Sequence, residues 1–171
     1  MNAEGKRTLA IYPGSFDPIT NGHISIIQRG LAIFDRIIVA VAVNASKKPL
    51  FSIPERMDLI EKSLNHNKRI GVDTFDGLLV DYAESKGAPV VVRGMRALSD
   101  FEFEFQMALM NRKLNRNIQT VFMMTDYRWL YVSSTIIKEA ASLGGSVTGM
   151  VPPLVERAMK RKYGYEDTIK A

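Results

Sequence analysis

Short apolar runs rich in β-branched residues alternate along this chain with stretches whose apolar positions recur at helical spacing. The runs predict strands over residues 8–12, 36–42, 70–75, 89–93 and 118–123. Between them the pattern predicts helices at about 22–34, 54–65, 78–86 and 100–114, with further helices over 133–143 and 152–162. Ile37-Ile38-Val39-Ala40-Val41-Ala42 and Val90-Val91-Val92 are apolar without alternation, the pattern of strands covered on both faces. Phe101-Glu102-Phe103-Glu104-Phe105 alternates with period two. The residues that follow favour helix, and Phe101, Phe105, Ala108 and Arg112 share one helical stripe, so helix is expected there. Met107, Met110, Met123 and Met124 read as core filler.

This alternation of strand and helix predicts an α/β fold. The expected form is a Rossmann-like, doubly wound, five-stranded parallel sheet with helices on both faces and further C-terminal helices. At 171 residues the chain fits one domain spanning 1–171, with the polar segment from about residue 164 expected to be a mobile tail. Cysteine is absent, which removes disulfides, thiolate metal sites and a thiol nucleophile. With two histidines, no His-rich metal cluster is possible. No apolar run approaches the ~20 residues that span a bilayer, and Met1 to Arg7 lead into no signal-peptide core, so a cytoplasmic protein is expected. The net charge of +5 favours polyanionic partners, whether nucleic acid or small phosphorylated ligands. The basic run Arg157, Lys160, Arg161 and Lys162 reads as a solvated helix face.

In open parallel sheets, ligands bind beyond the carboxyl ends of the strands. The residues hardest to explain by folding alone fall there. Pro13-Gly14-Ser15-Phe16-Asp17-Pro18-Ile19-Thr20-Asn21-Gly22-His23 follows the first strand and opens a helix, an arrangement suited to a phosphate. Lys47 and Lys48 follow the second strand, and one of them reads as a plain surface lysine. Arg93-Gly94-Met95-Arg96 ends the fourth strand, where two cations repel unless an anion sits between them. Ser133-Ser134-Thr135 opens a later helix with more hydroxyls than a cap needs, and the surplus suits a second phosphate. The role of Trp129 stays open on spacing alone, and His66 reads as a solvated helix end. Neither a G-x-x-x-x-G-K-[ST] loop, nor a G-x-G-x-x-G turn, nor a close pair of acids at a strand end is present.

Thr20-Asn21-Gly22-His23 and Val132-Ser133-Ser134-Thr135 match two elements of the nucleotidyltransferase superfamily. With Tyr12 to Pro18, Ser46-Lys47-Lys48-Pro49, Val92 to Arg96 and Asp100 to Glu104, the chain closely resembles the bacterial phosphopantetheine adenylyltransferases from Lys6 to about Arg161. Val132 stands where isoleucine is usual, and Ser15 where threonine is also common.

The resemblance implies transfer of the adenylyl group of ATP to 4′-phosphopantetheine, giving dephospho-coenzyme A and pyrophosphate. By carry-over, Ser15, Lys47, Leu79 and Arg93 contact phosphopantetheine. Ser15, Phe16, His23, Gly94, Met95, Arg96, Glu104, Trp129, Leu130, Tyr131, Val132, Ser133, Ser134 and Thr135 hold ATP, with His23 stabilising the transition state. It also implies Mg²⁺ held mainly by ATP phosphates and water, no protein metal site, and a homohexamer built as a dimer of trimers. Neither nucleic acid nor membrane is an expected partner. Two other readings remain open from the residues: transfer to nicotinamide mononucleotide or a phosphorylated alcohol, and a non-catalytic nucleotide sensor or nucleic-acid-binding module.

Overall fold

The computed structural model describes residues 8–43, 49–96 and 98–165, with backbone alone at 98–100. In chain order the elements are β1 (Leu9–Gly14), α1 (Asn21–Gly30), β2 (Arg36–Ala42), α2 (Ile53–Ser63), β3 (Ile70–Phe75) and α3 (Leu79–Ser85). They continue as β4 (Val90–Met95), α4 (Leu98–Leu114), β5 (Gln119–Met124), a 3₁₀ turn at Tyr127–Trp129, α5 (Ser134–Ser142) and α6 (Pro153–Tyr163). The five strands form one sheet in the order β3-β2-β1-β4-β5, and every pairing is parallel. The chain winds outward from β1 to β3, then crosses to β4 and β5. The reversal lies between β1 and β4, where a doubly wound sheet opens a crevice at its carboxyl edge.

Both faces of the sheet are covered, as the unbroken apolar runs require. Ala10, Tyr12, Ile37, Val39, Val41 and Val92 pack on one face with Ile26 and Ile27 of α1, Leu59 and Ile60 of α2, Ile137 of α5 and Val155 of α6. The alternate residues Ile11, Ala40 and Val91 face the other way, against Val80 and Ala83 of α3. Period two along each strand thus feeds two cores.

Two expectations change. The first strand continues past residue 12, because Pro13 and Gly14 keep register with Ala40 and Val41 of β2. Pairing with β4 covers only Ala10 and Ile11. A proline is therefore tolerated in this central strand, since the ladder on its β4 side has already parted. Of the four methionines read as core filler, only Met123 is buried. Met107, Met110 and Met124 are 42%, 55% and 57% exposed, because they lie on the outer side of α4 and at the end of β5.

At the C-terminus, Gly164 closes α6 in the left-handed conformation at φ 74°. The Tyr165 hydroxyl, in the segment expected to be mobile from about 164, donates to the Ser142 carbonyl at 2.7 Å. Its remainder, 166–171, lies outside the described residues.

Candidate functional site

A cavity of about 300 Å³ opens at the reversal point of the sheet. One wall is the end of β1 and the first loop: Tyr12, Pro13, Gly14, Ser15, Phe16 and Thr20, with Gly22 and His23 of α1. Arg93, Gly94 and Arg96 from the end of β4 form the floor with Glu104 of α4. Thr125, Val132, Ser133, Ser134 and Thr135 make the opposite wall. The N-termini of α1 and α5 both face the cavity, so two positive helix ends point at one space.

His23 is the third residue of α1 and helps to cap it. The Thr20 hydroxyl accepts from the His23 backbone N–H at 3.3 Å, and the Thr20 backbone N–H donates to His23 Nδ1 at 3.1 Å. This reciprocal pair has the form of a capping box with an imidazole in the usual carboxylate's place. A backbone N–H can only donate, so Nδ1 is an acceptor and the ring proton sits on Nε2. The ring packs edge-on against Phe16, with centroids 5.1 Å apart. Desolvation, followed by the charges of Arg96 and Arg93, pushes the His23 pKa down to about 4. The imidazole is thus neutral near pH 7, with one N–H donor on Nε2.

The two arginines are not left facing each other. Arg93 Nε donates to Glu104 Oε2 at 2.7 Å, a second N–H of the same guanidinium meets Glu104 Oε1, and Nη1 donates to the Pro13 carbonyl at 3.1 Å. The anion expected beside Arg93 is therefore supplied, in this structure, by the chain's own Glu104. Its bidentate contact holds the guanidinium plane fixed across the gap where β1 and β4 part. Arg96 donates to the Val132 carbonyl at 3.2 Å, joining β4 to the segment before α5.

Ser133 caps α5, its Oγ accepting from the Ile136 N–H at 3.1 Å. Ser134 is not surplus to folding either, since its hydroxyl donates to the Pro18 carbonyl at 2.8 Å. Thr135 is exposed and lines the cavity. Gly22 is needed for close approach: a Cβ there would sit 3.3 Å from Trp129 Cβ and 3.5 Å from the Thr20 hydroxyl. Phe16 lies at φ 45° yet is 2% exposed, a bulky residue held in the left-handed region by its burial.

The cavity thus gathers Ser15, Phe16, His23, Arg93, Gly94, Arg96, Glu104, Val132, Ser133, Ser134 and Thr135 among the residues picked out by sequence. Others stand apart from it. Met95 is buried, and Leu79, the first residue of α3, packs against the second core. Trp129 packs on the main core, while Leu130 and Tyr131 are exposed. Lys47 lies outside the described residues. Sequence reasoning placed Thr20 in the phosphate-suited stretch after the first strand, but gave no individual site role to Tyr12 or Thr125. Tyr12 looks like any core strand residue, and only the parting of β1 from β4 reveals its hydroxyl, near which a Cβ on Gly94 would come to 3.2 Å. Among the described residues no group of three or more His, Asp or Glu is placed to hold a metal ion, and no helix is long and apolar enough to cross a membrane.

The cytidylyltransferase-like family model matches residues 11–140. A phosphopantetheine adenylyltransferase of Desulfosudis oleivorans is 62% identical over 157 residues, covering 92% of this chain and 94% of that protein. The protein of that name from Oleidesulfovibrio alaskensis is 61% identical, covering 96% and 95% respectively. A solved structure of a candidate nicotinate-nucleotide adenylyltransferase from Vibrio parahaemolyticus superposes with a TM-score of 0.68 at 19% identity, over 95% of this chain and 97% of that one, which bears on the fold alone.

Proposed function

This chain belongs to the phosphopantetheine adenylyltransferase family, and we propose that it transfers the adenylyl group of ATP to 4′-phosphopantetheine, releasing pyrophosphate and forming dephospho-coenzyme A. The observation that carries the reading is the cavity where two helix N-termini, two arginines and a neutral imidazole converge. The attacking group is a phosphate monoester, largely dianionic near neutral pH because its second pKa is about 6. It needs no general base and no covalent enzyme intermediate. The chain's task is in-line positioning and neutralisation of charge on the α-phosphoryl group.

In this reading Arg93, held flat by Glu104, and Lys47, assigned by its family motif, receive the acceptor phosphate. Ser15, which lines the same cavity as Arg93, is assigned to the acceptor by family likeness, as Leu79 is to its apolar arm. His23 directs Nε2–H at the α-phosphoryl oxygens. Arg96, the Ser133–Thr135 hydroxyls and the helix ends receive the β- and γ-phosphates. The remaining ATP contacts (Phe16, Gly94, Met95, Glu104, Trp129, Leu130, Tyr131 and Val132) are likewise assigned by family likeness. Mg²⁺ fits this donor set as a cation carried by the triphosphate and water, since Glu104, the one carboxylate among the described residues that line the cavity, is engaged by Arg93. When bound, it supplies further neutralisation of phosphate charge.

A pyrophosphate-release assay with ATP and a panel of acceptors tests the assignment. Turnover with phosphopantetheine and none with nicotinamide mononucleotide is expected; the opposite selectivity overturns it. Cytoplasmic residence accords with this soluble-substrate chemistry.

We take the assembly to be a homohexamer, a dimer of trimers. The support is α4, whose exposed surface carries large apolar side chains among its polar ones, with Phe103, Leu109 and Met110 at 62%, 53% and 55% exposure. So many large apolar groups on one helix mark a covered surface. Light scattering of the wild type is expected to give six chains, and Leu109→Glu a smaller particle. A monomeric wild type refutes the assembly.

A further inference from the structure

The first loop and α5 form opposite walls of the cavity, and one buried carboxylate behind them ties the two together. Asp17 is 5% exposed. Its Oδ1 accepts from the Phe51 N–H at 2.9 Å, and its Oδ2 accepts from the Leu50 N–H at 3.0 Å and from Lys138 Nζ at 2.6 Å. Lys138 projects from the second turn of α5, so the ion pair joins α5 to the first loop and to the chain entering α2. Arg56 of α2 reaches the same loop, donating to the Ser15 carbonyl at 2.9 Å. Ser134 adds a second tie from α5 through the Pro18 carbonyl.

Neither Asp17 nor Lys138 lines the cavity, and neither is needed to cap α5, which Ser133 does. An exposed pair of this kind would contribute little. A carboxylate this buried depends on its donors, and losing the lysine leaves a charge short of one partner in a site of low polarity. The α5 wall can answer by shifting toward or away from the first loop, which leads into α1 and His23.

We infer that the Asp17–Lys138 pair is a positioning element that sets the N-terminus of α5 against the first loop and the start of α1, which carries His23, so that the triphosphate of ATP is received in one geometry. The inference rests on the ATP-binding reading of the cavity. Displacements near 1 Å at a reacting centre cost up to about 100-fold.

The test is calorimetric titration of the wild type and of Lys138→Met with MgATP, without acceptor, beside melting curves and steady-state kinetics. Lys138→Met keeps the apolar stem and is expected to weaken MgATP binding by about 2- to 30-fold, leaving the KM for phosphopantetheine at its wild-type value. Lys138→Arg is expected to restore ATP binding. Asp17→Asn should weaken ATP in the same sense, and combined with Lys138→Met should add little to it. If Asp17→Asn does not fold, Lys138→Met decides. An unchanged ATP affinity in Lys138→Met overturns the inference, as does a lowered melting temperature with both substrates bound as before. A wild type that binds MgATP but does not adenylylate phosphopantetheine refutes the proposed reaction, while the affinity ratio still judges the ion pair.

Discussion

His23→Ala is expected to lower kcat by about 10²–10³ while MgATP affinity stays close to the wild type. That is the cost of removing one preorganised donor from a developing charge. Three features put His23 in that role. The Thr20 N–H occupies Nδ1, so the proton on Nε2 is available for a ligand. The ring is anchored at both the helix cap and the Phe16 edge, so its direction is set before substrate arrives. A pKa of about 4 in the ligand-free protein keeps the ring a neutral donor rather than a titrating base.

The profile of kcat/KM against pH should therefore show no limb attributable to free-enzyme His23 near its ordinary 6.5, and should bend for this group only toward about 4. Stability follows the same sign. The unfolded chain protonates this histidine near 6.5 while the folded one resists to about 4, so the His23 contribution falls as the pH drops through that interval. A variant that keeps most of the wild-type kcat removes His23 from the chemistry.

Arg93→Ala is expected to reduce kcat/KM for phosphopantetheine by about 10²-fold, toward the lower end of the range for truncating one partner of a hydrogen-bonded charge pair, since this pair is only part-buried. The loss has two parts. The guanidinium no longer meets the acceptor phosphate, and the Glu104 carboxylate, left without its bidentate partner, faces an incoming anion. The double variant Arg93→Ala/Glu104→Ala should recover part of the deficit, because it removes that repulsion. Steady-state kinetics with varied phosphopantetheine decide the matter. No recovery in the double variant would mean that Glu104 serves only to orient Arg93, and a change under about threefold in Arg93→Ala would take Arg93 out of acceptor binding.

Much of the architecture was legible because it is written in short-range patterns. Every strand and helix expected from the runs is present within a few residues, since unbroken apolar strands and helical stripes have few other ways to bury themselves. The site's location was legible as well. His23, Arg93, Arg96 and Ser133 to Thr135 stand at strand ends and helix starts, which sequence order marks directly. What stayed hidden is pairwise. Arg93 and Glu104 are 11 residues apart and read as two separate ligand contacts until α4 folds back over β4. Asp17 and Lys138 are 121 apart, and no local pattern joins them.

By itself the sequence determined the fold class, the edge of the sheet at which chemistry would gather, and the phosphate-seeking character of the residues there. Periodicity, turn chemistry and residue type are local properties, so they survive without coordinates. Only the tertiary structure decided which imidazole nitrogen bears the proton, that Glu104 orients Arg93, and that the Ser134 hydroxyl and Lys138 hold the two walls together. Those facts depend on distances between segments remote in the chain, and a hydrogen bond or ion pair exists only where folding brings its two ends within reach.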